Sequence, residues 1–162
     1  MIAFTRLLCG TQGQHDHLRY RSSDAGETRP VVVWNCTKAC NLRCVHCYYD
    51  AVQERGDREL DTKEAKEMIA DLADYGVPVI LFSGGEPLLR RDIFELGEFA
   101  VGKGMRAVLS TNGTLIDREM AKRIADTGFA YAGISLDGLE KTNDRLRRFE
   151  GAFSKALEGM QN

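Results

Sequence analysis

The chain has 162 residues, of which 43% are hydrophobic and 28% are charged, and its formal net charge is −2. This length and balance predict a single globular domain and exclude disordered and fibrous proteins. The near-neutral charge, without a clustered basic stripe, argues against a nucleic-acid partner. The longest apolar run, residues 77–82, is far too short to cross a membrane.

Residues 1–30 are predicted to form an irregular N-terminal arm, because residues 11–30 are polar and show no periodicity. The first ten residues lack the apolar core and cleavage site of a signal peptide. We therefore expect a cytoplasmic protein, in which disulfides are rare. The arm contains Cys9, His15 and His17. We expect a free thiol and solvated imidazoles there, with contact to substrate or metal as the alternative.

From residue 31 onward, strand and helix patterns alternate. Helix caps are predicted at Asp61 or Thr62 and at Asp117, another helix is predicted near residues 92–102, and a glycine follows each helix. The predicted strands are residues 31–35, 77–83, 105–111 and 129–136, and a further helix is predicted in residues 143–162. This alternation predicts an α/β fold whose parallel strands are joined by right-handed crossovers.

Small residues, polar residues or cysteines follow each predicted strand. They form four segments: residues 36–47, Ser83-Gly-Gly-Glu86, Ser110-Thr-Asn112-Gly113 and Ser135-Leu-Asp137-Gly138. The carboxyl ends of parallel strands share one edge of the sheet, and α/β proteins hold their sites there. The sequence therefore predicts one functional rim. Four strands are fewer than a closed eight-stranded barrel needs, so we expect the front part of a larger protein.

Four of the five cysteines lie close together, as Cys36 and the run Cys40-Asn-Leu-Arg-Cys44-Val-His-Cys47. Three thiolates on a tight loop suit one face of an iron–sulfur cube and leave the fourth iron open. The competing interpretation is a zinc module in which Cys36 is the fourth ligand, with His46 in reserve. Structural zinc sites usually take their ligands from two separated pairs, so the spacing favours a cluster.

The segment from Trp34 to Tyr48 resembles the signature loop of the radical S-adenosylmethionine (SAM) superfamily. Ser83-Gly-Gly-Glu86-Pro87 resembles the second motif of that family, and residues 110–113 and 135–138 resemble its later strand-end motifs. The resemblance implies a parallel (β/α)6 partial barrel. Residues 31–162 would form its N-terminal part, with the first four or so βα units.

The resemblance implies that Cys40, Cys44 and Cys47 bind a [4Fe–4S] cluster whose open iron takes the amino and carboxylate groups of SAM. Reduction would cleave SAM to a 5′-deoxyadenosyl radical that abstracts hydrogen from the substrate. The residues expected to bind SAM are Gly84, Gly85, Glu86, Ser110, Asn112, Ser135, His46 and Arg147. Within this set, Glu86 is expected to meet the ammonium group and His46 to pack near the adenine. Arg147 is expected to pair with the carboxylate, with a solvated helix residue as the alternative, and Cys36 to be a small strand-end residue.

The sequence around the cysteine loop and in residues 7–20 resembles the heme-biosynthesis branch of this superfamily. That branch covers heme d1 maturation and the siroheme-dependent route. This resemblance implies a siroheme-derived tetrapyrrole as substrate and removal of acetate side chains from didecarboxysiroheme as the reaction. It also implies an electron donor such as ferredoxin or flavodoxin. Peptide-modifying maturases of quinone cofactors are the alternative.

Related proteins of this type continue into a C-terminal region with an auxiliary cluster, but no cysteine follows Cys47 here. We therefore expect the auxiliary-cluster region and the remaining strands to be absent from this chain. An incomplete barrel leaves an open sheet edge. The expectation is a chain that binds a cluster yet does not turn over the natural substrate by itself.

Overall fold

The computed structural model describes residues 29–53 and 59–162. Cys9, His15, His17 and nearly all of the predicted N-terminal arm lie outside the described residues, so the boundary at residue 30 stays a prediction. No helix within the described ranges is long and apolar enough to cross a membrane.

The described chain contains four strands that alternate with helices, and two helices in succession follow the last strand, which gives five α-helices. The strands are β1 (Val32–Thr37), β2 (Val79–Gly84), β3 (Arg106–Thr111) and β4 (Tyr131–Ile134). The helices are α1 (Thr62–Asp74), α2 (Ile93–Gly102), α3 (Arg118–Asp126), α4 (Glu140–Arg147) and α5 (Ala152–Gln161), and a short 3-10 helix spans Pro87–Leu89.

The strands form one sheet in the order β1-β2-β3-β4, and every neighbouring pair is parallel. The predicted α/β class and the parallel partial barrel are therefore confirmed. Because all strands run the same way, their carboxyl ends share one edge of the sheet, and the segments that follow them meet there.

Helix starts follow the predicted capping chemistry. The side chain of Asp61 accepts a hydrogen bond from the backbone N–H of Glu64, and the Glu64 side chain accepts one from the backbone N–H of Asp61. Asp117 caps α3 by accepting from the N–H of Met120 at 2.8 Å. Asp92 precedes α2 without a side-chain cap bond, because its carboxylate is bound to Arg90 and Thr62 instead.

The core lies between the sheet and the helices. Its fully buried side chains include Ile69, Ile80, Phe82, Ile93 and Leu96. Phe82 contacts Trp34 and Phe129 with ring centroids 5.6 and 5.8 Å apart. Burial of these groups is the main stabilising contribution to the fold, at about 25 cal/mol per Å² of apolar surface.

A buried arginine ties the sheet to the chain beyond the cysteine loop. Arg90 donates to the carbonyl oxygens of Cys36 and Leu60 at 2.8 and 2.9 Å, and its Nε lies 2.7 Å from Asp92 Oδ1. Its guanidinium also lies 5.2 Å from the ring centroid of Trp34. The end of β1 is thereby fixed before the cysteine loop begins.

Two details differ from the sequence-based expectation. β4 is shorter than predicted and covers only Tyr131–Ile134. The region after residue 138 contains two helices instead of one, because Arg148 has a left-handed backbone (φ 51°) and Gly151 follows at φ 84°. Such a break turns the chain between α4 and α5.

Candidate functional site

An open pocket of about 1150 Å³ lies at the carboxyl ends of the strands. Its lining includes every residue that the sequence predicts to bind the cluster or SAM, except Glu86. Those residues are Cys40, Cys44, His46, Cys47, Gly84, Gly85, Ser110, Asn112, Ser135 and Arg147. The pocket therefore joins the cysteine loop, the ends of β2, β3 and β4, and the end of α4.

Backbone hydrogen bonds fix the cysteine loop against the end of β2. Gly85 donates its N–H to Thr37 O at 2.8 Å, and Glu86 donates to Ala39 O at 2.7 Å. Cys40 donates to Val52 O at 2.7 Å, which closes the loop on its own return segment. The position of Cys40 is thus set by main-chain contacts on both sides.

The two glycines after β2 are required by this close approach. A Cβ atom on Gly85 would lie 2.3 Å from Ala39 O, and one on Gly84 would lie 2.4 Å from Thr37 O. Gly84 also has a φ of +124°, which residues with a side chain rarely adopt. These glycines serve the packing of the cysteine loop as well as exposing backbone to the pocket.

The end of β3 is joined to the cysteine loop through side-chain amides. Asn112 Nδ2 donates to Asn41 Oδ1 at 2.9 Å, and Asn41 Nδ2 donates to Thr114 Oγ1 at 2.8 Å. Asn112 Oδ1 accepts from both the N–H and the hydroxyl of Thr114. The Asn112 amide therefore holds the loop in place while one face of the residue borders the pocket.

Glu86 is fully buried, and its carboxylate points into the junction between β2 and β3. Oε1 accepts from Thr111 Oγ1 at 2.8 Å and from Leu88 N–H at 3.1 Å, and Oε2 accepts from Asn112 N–H at 2.8 Å. Burial raises the pKa of Glu86, while the hydrogen bonds from Asn112, Thr111 and Leu88 act in the opposite direction. This carboxylate joins two strand ends, and its direct contact with an ammonium group stays a prediction.

We expect Glu86→Gln to lower the free energy of unfolding by about 1–3 kcal/mol, because one buried donor loses its acceptor. Oε2 accepts a hydrogen bond from the backbone N–H of Asn112. In the glutamine variant, the amide NH₂ group would take this position, and two donors would face each other without an acceptor. Urea unfolding followed by circular dichroism measures the loss. Glu98→Gln, at an exposed helix position, is the matched control and is expected to change stability by less than about 0.5 kcal/mol.

The same variant is expected to change the pH dependence of stability. The pKa of Glu86 is raised above 4.5 in the folded state. Protonation of this carboxyl group therefore stabilises the folded state, and this stabilisation is fully present below pH 4.5. That contribution is lost as the pH rises through the folded-state pKa. Glu86→Gln should remove this component, and identical pH profiles for the two proteins would contradict the assignment.

Cys36 differs from the other three cysteines in the described structure. Its side chain is 2% exposed, its Sγ donates to Ser83 O at 3.3 Å, and it does not line the pocket. Burial raises the pKa of the Cys36 thiol to about 12, as is usual for a cysteine packed in apolar surroundings. Cys36 lies at the strand end as expected and packs as a small apolar residue.

The three pocket cysteines do not converge on a point. Within residues 29–53 and 59–162, no three His, Cys, Asp or Glu side chains are close enough to hold one metal ion. A zinc ion needs its ligands to converge at about 2.0–2.3 Å, whereas the ligands of an iron–sulfur cube bind different irons and stay apart. Leu42 N–H donates to Cys40 Sγ at 3.4 Å, an interaction that suits a thiolate.

A carboxylate from the segment after β4 reaches both the cysteine loop and α4. Asp137 Oδ2 lies 2.6 Å from Arg147 Nε and 3.3 Å from His46 Nε2. Arg147 Nη1 in turn lies 3.8 Å from Cys44 Sγ, and its side chain is only 12% exposed. Arg147 is therefore not a solvated helix residue, and His46 is half exposed beside it.

Sequence reasoning missed several residues that shape the site. Asn41, Thr114 and Asp137 make the contacts that hold it together, and Arg90 fixes the strand before it. The motif Ser135-Leu-Asp137-Gly138 indicated that Asp137 lies at the rim, but its partners come from distant segments. No local spacing predicts such pairs.

The chain is similar to curated proteins named for heme or porphyrin synthesis and for peptide cyclisation. It is 52% identical to Fe-coproporphyrin III synthase of Methanosarcina barkeri over its whole length and covers 43% of that protein. It is 43% identical to pre-heme d1 synthase of Dinoroseobacter shibae, with 85% of this chain and 34% of the relative covered. It is 39% identical to PqqA peptide cyclase of Rhodopseudomonas palustris, with 85% of this chain and 38% of that relative covered. The chain thus spans less than half the length of these relatives.

The fold also matches a solved structure with the cofactor present. Native anSMEcpe with bound AdoMet superposes with a TM-score of 0.66 at 25% identity, and the match covers 80% of this chain and 38% of that one. A family model described as the radical SAM superfamily matches residues 34–162, and the chain therefore belongs to that superfamily.

Proposed function

We propose that Cys40, Cys44 and Cys47 hold a [4Fe–4S] cluster in this pocket and that SAM binds beside it. Membership of the radical SAM superfamily implies both cofactors. The observation that carries the assignment of residues is the shared pocket, which these three cysteines line and Cys36 does not. When bound, the cluster would supply the electron that cleaves SAM to a carbon radical.

The surrounding residues suit the parts of SAM that they would meet. Gly84 and Gly85 expose backbone to the pocket, and Ser110 and Ser135 bring hydroxyl groups to its wall. Arg147 would pair with the SAM carboxylate, and His46 would pack near the adenine. Asn112 would act mainly by holding Asn41 of the cysteine loop. Glu86 would contribute by holding the ends of β2 and β3, in addition to any contact with the ammonium group.

We propose a tetrapyrrole substrate for a full-length protein that carries this chain. The similarity to Fe-coproporphyrin III synthase supports this proposal. The pocket wall also includes Arg43 and Arg148 in addition to Arg147, and guanidinium groups suit the carboxylate side chains of a tetrapyrrole. Within this class, we propose the removal of acetate side chains from didecarboxysiroheme, with ferredoxin or flavodoxin as electron donor.

The test begins with anaerobic reconstitution with iron and sulfide, followed by EPR of the reduced protein with and without SAM. We expect a [4Fe–4S]⁺ signal that changes when SAM is added. If metal analysis found bound zinc and no bound iron after reconstitution, the cluster assignment would be contradicted.

The substrate is tested on the full-length parent protein with didecarboxysiroheme, SAM and a reductant, and products are identified by mass spectrometry. The expected result is loss of two acetate groups with formation of 5′-deoxyadenosine. If the full-length protein did not convert the tetrapyrrole but modified a peptide, the maturase alternative would be favoured. The similarity to PqqA peptide cyclase supports that alternative.

A further inference from the structure

The last residue of α4 lies against the cysteine loop. Arg147 Nη1 is 3.8 Å from Cys44 Sγ, within hydrogen-bond distance for a sulfur acceptor. The Arg147 side chain is 12% exposed, so water screens its charge only weakly. Among the three pocket cysteines in the described chain, Cys44 is the one with a cationic donor at its sulfur.

Two further contacts hold this arrangement. Val45 N–H, next to Cys44, donates to Leu146 O at 2.8 Å, so the loop and the end of α4 are joined through their backbones. Asp137 Oδ2 lies 2.6 Å from Arg147 Nε. Asp137 is itself fixed, because its N–H donates to Asn143 Oδ1 at 3.0 Å.

The ion pair is close but poorly aligned. Arg147 Nε and Asp137 Oδ2 are both buried, and neither atom makes a hydrogen bond of good geometry within the described ranges. The carboxylate therefore acts on Arg147 chiefly through charge.

A positive donor at a cluster-ligating sulfur has a defined electrostatic effect. Reduction adds an electron to the cluster, and a nearby cation stabilises the added negative charge. Hydrogen bonds to ligand sulfurs and local charge are among the factors that set the potential of iron–sulfur centres.

We propose that Arg147 raises the reduction potential of the cluster through its contact with Cys44, and that Asp137 is the positioning residue that holds Arg147 there. This inference rests on the proposed cluster at Cys40, Cys44 and Cys47. It is independent of a contact between Arg147 and the SAM carboxylate, because the effect is expected when SAM is absent.

The experiment compares Arg147→Gln with Arg145→Gln. Both substitutions remove one positive charge from α4, but Arg145 is exposed and does not line the pocket. Reconstituted proteins are titrated anaerobically without SAM, and the reduced signal is followed by EPR to obtain the midpoint potential. We expect a shift to more negative potential in Arg147→Gln that clearly exceeds the shift in Arg145→Gln. Equal shifts in the two variants would overturn the inference.

The role of Asp137 is tested by a double-mutant cycle, because removing its own negative charge also changes the potential. The shift caused by Arg147→Gln is measured in the native background and in the Asp137→Asn background. If Asp137 positions Arg147, the shift becomes smaller when Asp137 is replaced. A shift of the same size in both backgrounds would contradict the positioning role.

Failure of the inference and failure of the proposed function give different results. A native protein that assembles no cluster overturns both. If the cluster assembles with normal iron content and Arg147→Gln leaves its midpoint potential unchanged, only the inference is overturned. If Arg147→Gln does not fold, Arg147→Met serves as the second variant. Methionine keeps an unbranched side chain but removes the charge and the donors, and a native potential in this variant would also overturn the inference.

Discussion

Cys40→Ala is expected to abolish cluster assembly, whereas Cys36→Ala is expected to retain it. Cys40 lines the pocket, and its sulfur accepts the N–H of Leu42 at 3.4 Å. Cys36 is buried at the end of β1 with its thiol donating to Ser83 O. Loss of one of the three cysteine ligands leaves only two thiolates to bind the irons of the cluster, which is too few to retain it. Iron and sulfide content after anaerobic reconstitution, with the visible absorption of the cluster, measures the difference.

Cys36→Ala is a demanding control because it removes a cysteine four positions from Cys40. Its cost to stability is expected to be about 1–2 kcal/mol, from a lost hydrogen bond and a small cavity. If Cys36→Ala lost iron as completely as Cys40→Ala, the four-cysteine assignment would replace the three-cysteine one.

Gly85→Ala is expected to lower the free energy of unfolding by roughly 3 kcal/mol or more and to prevent retention of the cluster. The added Cβ would lie 2.3 Å from Ala39 O and 2.8 Å from Lys38 O. Both are backbone atoms that cannot rotate away, so the segment before Cys40 must move. Overpacking of this kind costs about 1–3 kcal/mol where neighbours can adjust, and more where they cannot.

Gly102→Ala is the matched control for this prediction. Gly102 is the last residue of α2, and a Cβ added there would meet no atom within 4 Å. Alanine is a better helix former by about 0.5–1 kcal/mol, so a slight gain in stability is expected. Urea unfolding and cluster content are measured on both variants. Equal behaviour of the two would show that the contact between the end of β2 and the cysteine loop is unimportant.

Much of the fold follows from local sequence chemistry. Asp61 with Glu64, and Asp117, begin helices because their side chains satisfy the first N–H groups. Glycines 76, 104 and 128 follow the helices in left-handed conformations. β4 is shorter than its apolar pattern indicates, and the break at Arg148 was not predicted, because arginine has no local preference for a left-handed backbone.

The membership of the pocket was also predictable, since parallel strands bring their ends to one edge. The direction of each side chain was not. Glu86 turns to Thr111, and Asn112 turns to Asn41, although both motifs indicated a group facing the cofactor. Their partners are 25 and 71 residues away. Such choices depend on which donors the folded chain leaves unsatisfied, and the spacing of residues does not encode this.

The attachment of the cysteine loop to α4 has a consequence for the order of folding. Val45 N–H meets Leu146 O, and the neighbouring pair Cys44 and Arg147 is 103 residues apart in sequence. Contacts of such long range form late, because the chain between them must first be ordered. During synthesis the three cysteines leave the ribosome long before α4 does. We therefore expect the loop to reach its final shape only after α4, in the fourth βα unit, is in place, and a cluster to load into the finished site after that.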